Sequence, residues 1–156
     1  MIDIAIHIED DLPAVDATRL QQAIEWVLGE HQVPQADISV AVIGDAQMHV
    51  LNRQHLEHDY PTDVLSFVYA DGDLLEGEVI VSVETAARQA EVYGWKCEDE
   101  LLLYVIHGTL HLVGHDDHEP EPLARMRACE REALLHFGLE PHDDLGERSL
   151  GPPETK

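Results

Sequence analysis

The chain has 156 residues, 44% of them hydrophobic, which suits one globular domain and excludes a disordered chain. Nine basic residues against 32 acidic ones give a formal net charge of −23, so any nucleic-acid function needs a local patch or a metal ion. The start, MIDIAIHIEDD, is not a secretory signal, and no run is long enough to span a bilayer. We therefore expect a cytoplasmic protein without membrane or DNA partners.

The first half of the chain alternates strand and helix patterns. Isoleucine at every second position predicts a half-buried strand over residues 2–8. Apolar residues at helical spacing over 20–28 predict a helix, and Gly29 suits its end. The segment DISVAVIG predicts a second strand over 37–44, and Asp45 is a fair N-cap for the helix that follows.

The second half begins with two strands and continues with helices. The turn-forming ADGDLL separates DVLSFVY from GEVIVSV, which predicts a hairpin or an antiparallel pair. Residues 84–94 have a helical pattern that ends near Gly94. From Glu98, the apolar segment EDELLLYVIHGTLHLV predicts a central helix that Gly114 ends. A last helix is predicted after Pro120 and Pro122, from the spacing of Leu123, Met126, Leu134 and Phe137.

This order of elements predicts an α+β fold with a small mixed four-stranded sheet and about five helices. We expect a single domain over residues 1–140 and a loose C-terminal tail over 141–156, where periodicity ends and proline, glycine and charges accumulate. Cys97 and Cys129 lack CxxC spacing and are interpreted as two ordinary reduced thiols.

The segment HGTLHLVGHDDH, residues 107–118, carries the strongest functional signal. His107 and His111 are one helical turn apart, so both imidazoles can reach one ion. Gly114 lets the chain turn back, and the following HDDH supplies a third ligand. This layout is typical of a three-ligand catalytic zinc site that keeps a position for water. A buried, hydrogen-bonded histidine cluster is the alternative.

The spacing also resembles HExxHxxGxxH of the metzincin peptidases, with one difference. Gly108 stands where those peptidases carry the glutamate that acts as general base, so peptide hydrolysis by their mechanism is disfavoured. A metal ion at this site could still activate water and polarise a phosphoryl oxygen. We therefore expect a hydrolytic site with a different base.

The histidine segment, together with LNRQHLEHDYPTDVLSF and GEVIVS upstream, resembles the YbeY family of bacterial endoribonucleases and rRNA maturation factors. The similarity spans roughly residues 38–135. It implies a compact α+β fold, one zinc ion per chain and single-strand-specific cleavage of RNA. It also implies a role in 3′ maturation of 16S rRNA and in ribosome quality control, with ribosomal RNA, the small ribosomal subunit and ribosome-associated proteins as partners.

The resemblance assigns the catalytic and metal-binding roles to His107, His111 and a third ligand. The family's third histidine corresponds to Asp117 in strict register, and His118 follows one residue later. We expect Asp117 to be the ligand, since a carboxylate oxygen also binds zinc. His118 takes its place if the turn is shifted by one residue.

A second departure concerns the contact with phosphate. The family's arginine corresponds to Leu56, although the asparagine that precedes it is matched by Asn52. Arg53 or Arg88 could substitute for the missing arginine. Glu78 stands where the family usually has aspartate, which is a milder change.

Five further residues near these motifs have two interpretations each. Thr62 and Asp63 either line the metal cleft or form a turn before a buried strand. His115 and Asp116 either shuttle protons or orient a ligand, although a solvated turn is favoured for His115. Glu119 is interpreted as surface charge rather than a general base, and the acidic EREALL of the last helix as a solvated face with a core stripe.

Three functions are compared on this basis. The first is a zinc-dependent endoribonuclease that acts on rRNA. The second is a non-catalytic ribosome-assembly factor with a structural metal, which a closed fourth coordination position would support. The third is a peptidase or other small-substrate hydrolase, against which Gly108 argues.

Overall fold

The computed structural model describes residues 1–55, 64–115 and 119–139, without the side chains of residues 52, 54 and 55. Several predictions concern positions outside this part of the chain: Leu56, Thr62, Asp63, Asp116, Asp117, His118 and the tail over 141–156. In chain order the elements are β1 (Ile2–Ile8), α1 (Ala17–Glu30), β2 (Ala36–Ile43), α2 (Asp45–His55), β3 (Val64–Asp71), β4 (Leu75–Ser82), α3 (Val83–Tyr93), α4 (Cys97–Leu112) and α5 (Pro120–His136). The predicted α+β order is confirmed.

The four strands form one mixed sheet in the order β1-β2-β4-β3. β1 and β2 pair in parallel, as do β2 and β4, because a helix-containing connection separates each pair along the chain. β3 pairs with β4 in antiparallel fashion, with Leu65 opposite Ile80. The predicted antiparallel pairing of these two segments is therefore confirmed.

Apolar side chains cover both faces of the sheet. Val79 and Val81 of β4 belong to the main core, which includes buried residues of α1, α3, α4 and α5. Ile80 lies between them and faces the other way, since successive side chains of a strand alternate. It packs with Leu65 and with Met48 of α2 in a smaller cluster. Within the described residues, no helix combines the length and apolar character needed to cross a membrane.

Helix α4 is the central helix that its apolar sequence predicts. Every residue from Glu100 to Leu110 is buried. The helix contacts α1, α3, α5 and the strands β3 and β4. A helix that is apolar around its whole circumference is stable only inside a protein, and here it carries the histidine pair into the centre of the domain.

Glycines mark two of the predicted helix ends. Gly94 at the end of α3 and Gly114 after α4 have φ angles of 71° and 102°, which a residue without Cβ adopts readily. Gly29 was expected to end α1 but lies inside its last turn, and the chain leaves that helix through Gln32 at φ 57°. Asp45 is the first residue of α2 rather than the residue before it.

Asp45 connects α2 to α3. Its Oδ1 accepts hydrogen bonds from Ser82 Oγ at 2.7 Å and from Thr85 Oγ1 at 2.6 Å. Arg88 donates to its other carboxylate oxygen. Partial burial would raise the pKa of Asp45, but the hydrogen bonds from Arg88 and the two hydroxyls outweigh it and hold the pKa below its ordinary value.

Replacing Asp45 by asparagine should therefore lower the free energy of unfolding at pH 7 by about 1 kcal/mol, since hydrogen bonds to an ionised acceptor are stronger than those to a neutral one. A carboxyl whose folded pKa is lowered contributes stability above its unfolded pKa and loses it as the pH falls further. The difference between wild type and D45N should thus narrow below about pH 4. Urea unfolding at several pH values checks this. Asp37→Asn, at an exposed position on β2, is the control. An equal loss of unfolding free energy in D45N and D37N would contradict the expectation.

Candidate metal centre

His107 and His111 face one another on α4. Their Nε2 atoms are 3.2 Å apart, and their rings meet edge to face with centroids 4.7 Å apart. Two nitrogens bound at about 2.0–2.1 Å to one tetrahedral zinc ion lie ~3.3 Å apart. The observed separation therefore suits two ligands of one ion with little change in either side chain.

Glu130 of α5 holds the inner histidine in place. Its Oε2 lies 2.7 Å from His107 Nδ1, and both side chains are completely buried. Arg127 donates to the other oxygen of Glu130 at 2.7 Å. With Nδ1 donating to the carboxylate, Nε2 of His107 keeps the lone pair that a metal ion needs. A carboxylate in this position is the usual outer partner of a metal-binding histidine.

The carboxylate of Glu130 is ionised in this arrangement. Burial by itself would raise the pKa of Glu130, because a buried charge loses its hydration. The hydrogen bond from His107, together with the charge and hydrogen bond of Arg127, outweighs this effect and holds the pKa below its ordinary value. Glu130 is the first residue of the EREALL segment. Its side chain is buried, so the interpretation of this segment as a solvated face was wrong for Glu130.

A sequence signal for Glu130 was present. Met126, Ala133 and Leu134 are buried on α5, and Glu130 falls at the fourth position after Met126 on the same stripe. A charged residue on the apolar stripe of an amphipathic helix needs a buried partner, since an unpaired buried charge is costly. The partner, His107, is recognisable only when α4 and α5 are packed together.

Gly108 faces the sheet and not the histidine pair. A Cβ atom at this position would lie 2.6 Å from Val79 Cγ1 and 3.1 Å from Val64 Cγ1. The carbonyl oxygen of Gly108 also accepts a hydrogen bond from Ser66 Oγ at 3.1 Å. A glutamate here would point into the core, so the missing general base reflects the close packing of α4 on β3 and β4.

The third predicted ligand, Asp117 or His118, lies outside the described residues. Glu119 is described; it is exposed and precedes the first residue of α5, which agrees with its interpretation as surface charge. A cleft of about 270 Å³ lies between the end of α4 and the start of α5; it is lined by Val113, Gly114, His115, Pro122 and Arg125.

His115 is only partly exposed, whereas a solvated turn was the interpretation favoured from sequence. The side chain is half-buried, and its Nε2 lies 2.8 Å from His31 Nε2 and 3.8 Å from Cys129 Sγ. Ligand atoms of these three residues all lie within 4.8 Å of one another. This second group of potential metal ligands was missed, because neither His31 nor Cys129 stands in a recognisable motif.

The comparisons with known proteins now decide the family. The family model for endoribonuclease YbeY matches residues 5–138. The chain belongs to the YbeY family. Endoribonuclease YbeY of Rhodopirellula baltica is 44% identical over 126 residues, covering 79% of this chain and 65% of the relative. The YbeY protein of Chloroherpeton thalassium is 36% identical over 138 residues, covering 86% of this chain and 96% of the relative.

A solved structure has a similar fold. The solution structure of the Thermotoga maritima protein TM1509 has a TM-score of 0.60 and 24% identity, and the match covers 96% of this chain and 97% of that chain. At this identity the likeness concerns the fold alone. Membership in a family of metal-dependent endoribonucleases rests on the family model and the YbeY relatives.

Proposed function

We propose that the protein is a single-strand-specific, zinc-dependent endoribonuclease that acts in the cytoplasm in 3′ maturation of 16S rRNA and in ribosome quality control. Its catalytic domain spans residues 1–140, followed by a loose tail. Its partners are ribosomal RNA, the small ribosomal subunit and ribosome-associated proteins. The observation that carries the proposal is the pair of facing Nε2 atoms of His107 and His111 in a chain of the YbeY family.

The zinc ligands in this proposal are His107, His111 and Asp117, or His118 if the turn is shifted by one residue. When bound, zinc would supply a Lewis acid for the phosphodiester and a water of lowered pKa. The donor set supports this choice, because two imidazoles and one carboxylate suit a catalytic site with an open position. Glu130 orients His107, and the buried position of His107 keeps bulk water from its inner side.

Binding of RNA requires a positive group near the histidine pair, because the chain as a whole repels it. Arg88 is bound to Asp45 and Thr85, which makes it a poor replacement for the family arginine. Arg125 lines the cleft beside the turn after α4, and we assign the phosphate contact to it. Its ion pair with Glu121 is highly exposed and therefore weak, so phosphate can displace it. Arg53, exposed on α2, is the second candidate.

A non-catalytic assembly factor with a structural metal is the second function that specific observations favour. The net charge of −23 and the leucine at position 56 both oppose tight binding of RNA by this chain alone. The peptidase hypothesis loses its support, because a glutamate at position 108 could not face the histidine pair.

Cleavage of a single-stranded RNA by rigorously purified protein, with and without a chelator, distinguishes these functions. The endoribonuclease proposal predicts cleavage that stops with chelator and returns with zinc, and no turnover of casein. A protein that retains zinc in an open three-ligand site but does not cleave RNA would contradict the proposal. Zinc with a closed coordination shell and no cleavage would favour the assembly factor.

The identity of the third ligand gives a separate expectation. Asp117→Ala should lower zinc affinity more than His118→Ala, by about 10-fold or more, since removal of a direct ligand leaves two protein donors. Competition with a fluorescent zinc chelator measures both affinities on matched preparations. The reverse order would show that the turn is shifted by one residue.

A further inference from the structure

Two histidines and a cysteine that are distinct from the His107–His111 pair converge from three separate parts of the chain. His31 follows the last residue of α1, His115 lies just beyond α4, and Cys129 is on α5. All three side chains are half-buried. His31 and His115 are 84 positions apart in the chain, and His115 and Cys129 are 14 positions apart, so the three residues meet through tertiary packing.

The spacing of the three ligand atoms matches that of a small metal centre. Around one tetrahedral zinc ion, two nitrogens lie ~3.3 Å apart, and a nitrogen and a sulfur lie ~3.6 Å apart. Here the nitrogen pair is 2.8 Å apart and the nitrogen–sulfur pair 3.8 Å apart. Shifts of a few tenths of an ångström, at residues with solvent on one side, convert one arrangement into the other. We propose that His31, His115 and Cys129 form a second metal site, which takes zinc or a similar divalent transition metal.

The orientation of His31 supports this assignment. Its Nδ1 donates to the carbonyl oxygen of Val27 at 2.8 Å, which leaves Nε2 as the lone-pair nitrogen directed at the cluster. A backbone carbonyl is a common outer partner of a metal-binding histidine. Without an ion, His115 donates its Nε2 proton to His31, and the two rings lie edge to face. When a metal ion binds, that proton moves to Nδ1 of His115 and the ion takes its place at Nε2.

The ligand set selects the class of metal. Two imidazoles and a thiolate suit zinc and its neighbours, whereas magnesium and calcium require oxygen ligands. Burial, and then the carboxylates of Glu132 and Glu130, raise the pKa of the Cys129 thiol. The metal-free thiol is therefore protonated, and each ion bound by the sulfur releases that proton to the solvent. The bound ion links α1, α5 and the turn after α4, so it should also raise thermal stability.

The thiolate gives this site a signature that the His107–His111 site lacks. Cobalt(II) bound to a thiolate shows an intense near-ultraviolet charge-transfer band, and cobalt bound only by nitrogen and oxygen does not. The chelator-stripped 156-residue chain should develop this band on titration with cobalt. Cys129→Ser should abolish the band and lower zinc content by one ion per chain. Cys97→Ser, the matched control on α4, should retain both.

Two further variants keep the test decisive. His111→Ala should retain the cobalt–thiolate band although the other site is damaged, so failure of the proposed nuclease site and failure of this one are distinguishable. His31→Gln leaves both thiols in place and should lower the affinity of the sulfur-bound ion at least 10-fold, which covers the case that C129S does not fold. Three results would each overturn the proposal: the wild type shows no cobalt–thiolate band, the band persists in C129S, or C129S and C97S lose the band to the same extent.

Discussion

Glu130→Gln should destabilise the protein by about 3 kcal/mol and weaken zinc binding 10- to 100-fold. The carboxylate of Glu130 is completely buried between His107 and Arg127. Glutamine keeps the shape of the side chain but removes the charge, so the guanidinium of Arg127 loses the carboxylate with which it pairs at 2.7 Å. The side-chain amide has one acceptor atom where the carboxylate has two, so it cannot accept from both His107 and Arg127, and as a neutral acceptor it fixes the tautomer of His107 less firmly.

Urea unfolding and zinc competition measure the two effects of E130Q on the same preparation. Glu132→Gln is the matched control, because Glu132 is exposed two residues further along α5. A double variant, E130Q with Arg127→Met, should lose less stability than the sum of the two single variants, since both members of the buried ion pair are then replaced. Equal stability and equal zinc affinity of E130Q and E132Q would contradict the assigned role.

Gly108→Ala should lower the free energy of unfolding by about 2 kcal/mol, although alanine favours helix by ~1 kcal/mol over glycine. The added methyl group would lie 2.6 Å from Val79 Cγ1, on a strand in the middle of the sheet. Neither α4 nor β4 can move away without opening the core. Gly108→Glu should not yield folded protein, because the carboxylate would be buried without a partner.

Gly29→Ala is the control for this substitution. Gly29 also lies within a helix but has nothing within 4 Å of its added Cβ, so the same change should be neutral or stabilise by up to ~1 kcal/mol. Thermal and urea unfolding of the two variants give the comparison. If G108A were as stable as G29A, the close contact between α4 and the sheet would be refuted, together with the reason given for the missing glutamate.

Local patterns in the sequence were sufficient for the architecture. Alternating isoleucines marked β1, and the apolar run before His107 marked α4 as the central helix, because burial imposes a period on each kind of element. The pairing of His107 with His111 also followed from spacing, since the fourth residue along a helix returns to the same face.

Contacts between distant elements were not predictable in the same way. Glu130 looked like surface charge until α5 was packed against α4, and His31 gave no hint of a neighbour more than eighty positions away. The sequence showed that Gly108 replaces the glutamate of the metzincin peptidases. Only the position of Val79 on β4 explains why a side chain is excluded there. Long-range packing of this kind leaves no periodic trace in one sequence.

Comparing wild type with His111→Ala for both cleavage of single-stranded RNA and zinc content tests most directly whether the His107–His111 pair holds the catalytic ion. His111 is only partly buried, so its removal should leave the fold intact. Wild type should cleave RNA with zinc bound, and H111A should lose at least 100-fold in rate together with the ion that the histidine pair holds. Cleavage by H111A at the rate of the wild type would place the chemistry elsewhere and contradict a catalytic role for the histidine pair.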